Sequence, residues 1–258
     1  RRSKSRYHMT DKLLGMTQKL NEHLADFEKY RSESKISFDG DRVKYAGEVA
    51  KWFLPCAKWI LAGHFRVKNN EGDEESVRLI YPTAIELYYH EEGPGRFKDP
   101  IMYHTDDRKR AEHSDYFNKR GISSIPYYPF GSLNPHTSGI DITFENPKEQ
   151  YRASFLIREY VVDYGKGREL PVKNSTDIYD DMLINGICLG NADWIEWCDG
   201  KALNEEEIIR QWRRNVPDYK PKDGKPGEWE KKTIGENTFA SAGGRFAKCP
   251  FNWQFRKK

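Results

Sequence analysis

Glu86 stands between apolar neighbours in Ile85-Glu86-Leu87-Tyr88. Side chains alternate between faces along a strand, so a core-facing Leu87 puts Glu86 and Tyr88 together on the other face. A carboxylate held among aromatic groups can have a raised pKa and act as a general base; on an edge strand it would simply face solvent. Arg158 ends the apolar run of Ser154-Phe155-Leu156-Ile157-Arg158. An arginine within a strand needs an anionic partner or an exposed end. It can hold a phosphate or orient a carboxylate, or make a structural salt bridge with Glu86 or Asp141. Asp141 sits between two isoleucines in Gly139-Ile140-Asp141-Ile142-Thr143 and can share a face with Thr143. It is a candidate for positioning a substrate or ordering a loop.

Metal-ligand types gather at His90, Glu91, Glu92, His104, Asp106, Asp107 and His113. No pair has a firm ligand spacing such as HExxH, so a solvated loop is expected and no metal. Tyr116-Phe117 and Tyr127-Tyr128-Pro129-Phe130 supply aromatics. Exposed, they stack on bases or wedge into a duplex; buried, they are ordinary core. Arg108-Lys109-Arg110 is a local basic run, as are stretches at 1–6, 210–214 and 256–258. Each is either a solvated face or a phosphate contact. The chain has no P-loop, no GxGxxG after a strand and no GxSxG elbow, so ATP, dinucleotide and serine-hydrolase chemistry have no support.

The elements that must carry these residues are legible from periodicity. Leu13, Leu14, Leu20, Leu24 and Phe27 share a helical face across 11–30. A second helix over 43–54 is expected to stop at Pro55. Trp59–Leu61 and Phe65–Val67 read as a strand interrupted at Gly63, and 76–90 as a long extended stretch in which Pro82 marks an edge or bulge. Residues 91–138 read as a long loop. Strands are expected at 139–144 and 153–162, and a helix at 175–188. Asn204 and Glu207 form a capping-box pattern for a further helix. The alternation of Phe251, Trp253 and Phe255 predicts a closing strand. Strands dominate the middle without regular βαβ alternation. The expected fold is α+β: a single compact domain with a curved antiparallel or mixed sheet flanked by helices. Residues 1–57 form a helical segment packing on a core built by 58–258.

Composition bounds the rest. The chain has 258 residues, 37% hydrophobic and 14% aromatic, enough for one substantial core. Its formal net charge of +3 is no strong nucleic-acid signature, so DNA binding needs local patches. No apolar run reaches membrane-span length, and the basic 1–6 run is not followed by an apolar segment as a secretory signal requires. Cys56, Cys188, Cys198 and Cys249 form no CxxC pair, which fits free thiols in a reducing cytoplasm, or in the nucleus of a eukaryote.

The order of these pieces resembles the alkyladenine (3-methyladenine) DNA glycosylase family, in a divergent form. The resemblance is carried by Glu86-Leu87-Tyr88, then Asp99 to His104, Gly139-Ile140-Asp141-Ile142, Phe155-Leu156-Ile157-Arg158, the segment Ile178 to Asn185, and the ending Pro250 to Arg256. It spans roughly residues 58–256, as weak motifs within one domain. The family commonly has Asn where Asp141 stands, and the Glu86–His104 spacing is longer here. The resemblance implies a monomeric enzyme that needs no cofactor and acts on double-stranded DNA. It would flip a base out of the stack, because the glycosidic bond is unreachable within it. Glu86 would deprotonate the attacking water, and Arg158 would hold that water or the nearby phosphate. Tyr88, His104 and Asp141 would line the base pocket. Tyr127, Tyr128 or Phe130 would fill the gap in the duplex, with Arg108, Lys109 and Arg110 on the backbone. The substrate would be an alkylated purine, or a hypermodified base of foreign DNA such as phage DNA. A metal-dependent nuclease using the His/Asp cluster, or a non-catalytic nucleic-acid-binding module, are the alternatives.

Overall fold

The computed structural model describes residues 14–34, 36–67, 77–99, 102, 104–106, 119, 121, 123–128, 131–136, 138–165, 171–182, 195–211, 213 and 251–258. Arg108, Lys109, Arg110, Phe130, Tyr116, Phe117, Asp107, His113, Cys188 and Cys249 lie outside the described residues. So does the whole 183–188 part of the expected helix.

Helix α1 is Leu14–Glu33 and helix α2 is Arg42–Ala62. Asp41 caps α2 by accepting from the Lys44 N–H at 3.0 Å, which satisfies one of the open donors at a helix start. The helix does not stop at Pro55. It continues to Ala62, so Trp59–Leu61 are helical rather than a strand, and the division at 57/58 falls inside α2. An interior proline removes one backbone hydrogen bond and crowds the preceding turn, at a cost of about 3 kcal/mol. Burial outweighs it: Trp52, Phe53, Cys56, Ala57, Ile60 and Leu61 are all in the core, and a fully buried large apolar side chain contributes about 1.5–3 kcal/mol. The helix ends at Gly63, where a Cβ would collide with the Trp197 ring.

The strands are β1 (His64–Val67), β2 (Arg78–Glu91), β3 (Ser132–His136), β4 (Gly139–Thr143), β5 (Tyr151–Asp163), β6 (Lys173–Asn174), β7 (Ile195–Cys198), β8 (Ile208–Gln211) and β9 (Gln254–Lys257). Among the described residues they form one antiparallel sheet, ordered β3-β4-β5-β2-β1-β7, with β6 on β5 and the β8–β9 pair on β2. The sheet curls into a half-barrel, the α+β architecture read from the sequence. One edge of β2 is paired with β1 over Arg78–Ile80 and with β9 over Ala84–Glu86. Pro82, which has no N–H to donate, sits where that edge changes partner, and the β2–β5 register shifts beside it.

Besides α2, two further elements differ from the sequence reading. β3 lies inside the stretch read as loop, and its Pro135 is tolerated because β3 is an edge strand. The Asn204 capping box forms, but it opens a single 3-10 turn, Glu205–Glu207, followed by β8 rather than a helix. The β-branched pair Ile208-Ile209 fits the pleated ladder beside β9. A 3-10 turn, Ser175–Asp177, leads into the one-turn helix α3, Ile178–Met182.

The helices cover one face of the sheet. Ile85, Leu87 and Tyr89 of β2, Phe155 and Ile157 of β5, and Ile140 and Ile142 of β4 join Phe27, Trp52 and Phe53 in the main core. Polar ties fix the helices on it: the Tyr45 and Tyr89 hydroxyls both donate to Glu91 Oε1, at 2.6 and 2.7 Å, and the Trp253 indole donates to the Ala46 carbonyl at 2.8 Å. The alternate residues of the same strands face the other way, and there, Leu156 apart, the buried groups are mostly polar. No helix among the described residues is long and apolar enough to cross a membrane.

Candidate functional site

Residues directly opposite in an antiparallel ladder share a face. The register therefore places Gln211, Gln254, Glu86, Leu156, Asp141 and Asn134 in one row across β8, β9, β2, β5, β4 and β3. Beside it runs a row of hydroxyls, Tyr88, Ser154, Thr143 and Ser132, and beyond that His90 faces Arg152. The result is a polar face with carboxylates, carboxamides and hydroxyls in register.

At its centre Glu86 is fully buried. Arg158 Nε donates to Glu86 Oε2 at 2.6 Å, and the Tyr88 hydroxyl donates to the same oxygen at 3.2 Å. Arg158 Nη2 donates to the Tyr88 oxygen at 3.1 Å, closing a three-membered ring of contacts. Gln254 Nε2 donates to the other carboxylate oxygen at 3.3 Å. Burial works against the Arg158 charge, but Tyr88 and Glu86 more than offset it, so the guanidinium holds its proton firmly. Burial and then the Glu86 charge push the Tyr88 phenol well above its ordinary range. Tyr88 thus remains a donor at any working pH. The Arg158 side chain is 10% exposed, and its Nη1 has no hydrogen-bond partner among the described residues.

Tyr88 is supported from behind. Arg213 lies 4.6 Å from its ring centroid and 5.1 Å from that of Trp253. Arg213 grips Asp99 with both terminal nitrogens, at 2.7 and 2.9 Å, and also donates to the Leu87 carbonyl. Both charges are fully buried. Met102 and Leu156 pack against Tyr88 as well. Tyr88 is 6% exposed, so its hydroxyl serves the site rather than an open ring face.

Asp141 shares the Glu86 row with Leu156 between them, about 10 Å away at two strand spacings. Its contact is His136, whose Nε2 lies 3.1 Å from Asp141 Oδ2. His104, Tyr127 and Tyr128 belong to a different cluster. His104 Nδ1 is 3.0 Å from Glu145 Oε1, and its ring stacks on Tyr128 at 3.8 Å. Tyr127 lies under the Arg152 guanidinium at 3.9 Å. Among the described residues no contact joins His104 to Glu86, Tyr88 or Arg158.

Arg152 organises that second cluster. Fully buried, it binds the Glu92, Glu145 and Asp106 carboxylates and the Ser124 hydroxyl, together with the Ile125 and Pro126 carbonyls. It fastens the described parts of the long connection to the sheet. Burial pushes the Glu92 carboxyl up, but His90, the Asp106 N–H and Arg152 outweigh it and hold it down at about 2. A metal-dependent nuclease would use such carboxylates to hold a cation; here they converge on a guanidinium. No group of three His, Cys, Asp or Glu among the described residues is arranged to hold a metal ion.

Compared with known proteins, the chain matches no family model, no curated protein and no solved structure.

Sequence reasoning missed Gln254, Arg213, Asp99, Arg152, Glu145 and His136 as parts of this face. Gln254 had a signal: it alternates with Trp253 and Phe255, so core-facing aromatics put it opposite. The others are identified by tertiary pairing alone.

Proposed function

We propose that the chain removes a base from double-stranded DNA by hydrolysing its N-glycosidic bond. The observation that carries this reading is the Glu86 carboxylate, clamped by Arg158 and Tyr88 on the polar face of a curled sheet. The target nucleotide swings out of the stack against this face. Glu86 takes a proton from water as the water attacks the anomeric carbon, and the carbon–nitrogen bond to the base breaks. Arg158 holds the carboxylate with Nε, and Nη1, which has no hydrogen-bond partner among the described residues, binds the water or the adjacent phosphate. Tyr88 fixes the second side of the carboxylate through its hydroxyl. Tyr127 and Tyr128, both partly exposed, are the described aromatics offered to the duplex.

The order of Glu86, Tyr88, Asp141 and Arg158 along the chain supports this reading through its likeness to the alkyladenine DNA glycosylases. The substrate is an alkylated purine, or a hypermodified base of foreign DNA, which would make the protein a defence factor. The test incubates the protein, in chelator, with duplexes carrying alkylated purines and with phage DNA containing modified bases. Alkali then converts abasic sites into strand breaks. Alkali-dependent breaks support base excision. Breaks that need added metal but no alkali mean a nuclease, and salt-dependent binding without breaks means a binding module.

A further inference from the structure

Gln254 stands directly opposite Glu86 in the β2–β9 ladder, with Gln211 opposite it on the other side. Its neighbours fix its backbone. Trp253 and Phe255 are fully buried in the main core, and the Trp253 carbonyl accepts from the Leu87 N–H at 2.8 Å. Core-facing aromatics on both sides turn Gln254 to the polar face. There it is 2% exposed, and its Nε2 lies 3.3 Å from Glu86 Oε1. No other hydrogen bond among the described residues holds this amide. The final torsion of a glutamine is broad and roughly two-fold, so the head can turn over and present its carbonyl oxygen in place of its N–H.

The two oxygens of Glu86 are not equivalent. Oε2 accepts from Arg158 Nε and from the Tyr88 hydroxyl, which occupies both of its lone pairs. A guanidinium has no acceptor to offer a proton placed there. A proton taken from water therefore goes to Oε1, on the Gln254 side. An ionised carboxylate only accepts, whereas a protonated one also donates. An amide carries a donor and an acceptor on one head, so it can bond to both states. We propose that Gln254 is a positioning residue that serves Glu86 before and after proton transfer: its N–H holds the carboxylate, and its carbonyl then accepts the new O–H. The inference rests on the reading of Glu86 as the base that activates water. In that step a water O–H bond breaks and the Oε1–H bond forms. The water oxygen bonds to the anomeric carbon, and the electron pair of the carbon–nitrogen bond leaves with the base.

Glu86→Gln fixes the later arrangement in a form visible without turnover. Arg158 only donates, so the new amide turns its oxygen to Arg158 and its NH2 to Gln254, and Gln254 must answer with its carbonyl. Isotopic labelling of glutamine nitrogen in the full chain reports the side-chain NH2 groups of Gln18, Gln150, Gln211 and Gln254 by magnetic resonance. Gln254→Met identifies the last of them. The expected result is that the Gln254 proton bonded to the carboxylate moves upfield in Glu86→Gln. In single-turnover base release, Gln254→Met should slow the reaction about 10- to 100-fold, the worth of a hydrogen bond to a charged group, with duplex affinity unchanged. Gln254→His, which carries a donor and an acceptor, should recover part of the loss, and Gln254→Lys, which only donates, should not. An unmoved Gln254 amide in Glu86→Gln, an unslowed Gln254→Met, or recovery by lysine equal to that by histidine would overturn the inference. Should Gln254→Met fail to fold, Gln254→His makes the assignment and the amide shift decides. A chain that releases no base from any duplex overturns base excision, and this inference with it. Base release with an unmoved amide overturns the Gln254 assignment alone.

Discussion

Arg158 reaches Glu86 diagonally. The residue directly opposite Glu86 in the ladder is Leu156, two positions earlier in β5, and the Arg158 guanidinium reaches across that offset to place Nε 2.6 Å from the carboxylate. The apolar Leu156 side chain thereby separates Glu86 from Asp141 in the same row. One carboxylate is held by a strong cation and a phenol, the other by a histidine. Two acids on one face are given different surroundings by the same ladder.

Arg158→Met should cost about 3–5 kcal/mol of stability, because it leaves the fully buried Glu86 charge without its cation. Arg158→Lys retains the charge but not the fork that touches both Glu86 and Tyr88. It should recover most of the stability and little of the activity. Urea denaturation beside a single-turnover assay separates the two effects.

Arg152→Met should also destabilise by about 3–5 kcal/mol, since Glu92, Glu145 and Asp106 lose their shared cation. Its local signature differs. Amide exchange at 104–106 and 123–128 should rise before global unfolding, because those segments are tied to the sheet through this guanidinium.

Acid should act through Glu92. Its carboxyl is held at about 2 in the folded chain against an ordinary value of 4.5. A lowered folded value means that its stabilisation is complete above about pH 4.5 and is lost as the pH falls towards 2. The difference is worth about 3 kcal/mol. Glu92→Gln should therefore flatten the stability–pH curve between these values. A slope equal to that of the unmodified chain would contradict the assignment.

Asp99 and Arg213 should behave as one unit. Asp99→Asn and Arg213→Met each leave a buried partner charge unpaired. The double variant should be less destabilised than the sum of the two by about 1–3 kcal/mol. A double-mutant cycle by denaturation measures this directly.

The central strand pair was legible as two extended runs, 76–90 and 153–162, although the apolar run Phe155-Leu156-Ile157 does not itself alternate. Leu87 and Phe155 point to the core, so Glu86, Tyr88 and Arg158 fall on the opposite face by period two alone. Pro82 marked a real irregularity for the reason that makes proline informative, its missing N–H. The errors have physical causes too. Pro55 is a local stop signal, overridden by burial of the helix on both sides of it. Ser-Leu-Asn-Pro-His has little strand propensity, and β3 exists because β4 offers it an edge. The run from Arg210 to Arg214 reads as a solvated basic face, yet Arg213 is buried against Asp99, 114 residues away in the chain. His104 carried a motif-level signal for the site, and its contacts lie instead with Glu145 and Tyr128.

Glu86→Gln tests the central claim most directly. The substitution keeps the shape of a buried side chain and removes its basicity. In the abasic-site assay, with chelator present, the account predicts that base release falls about 10²- to 10⁴-fold, the range for loss of a general base, while duplex binding changes little. A Glu86→Gln variant that releases base at the rate of the unmodified chain would contradict it.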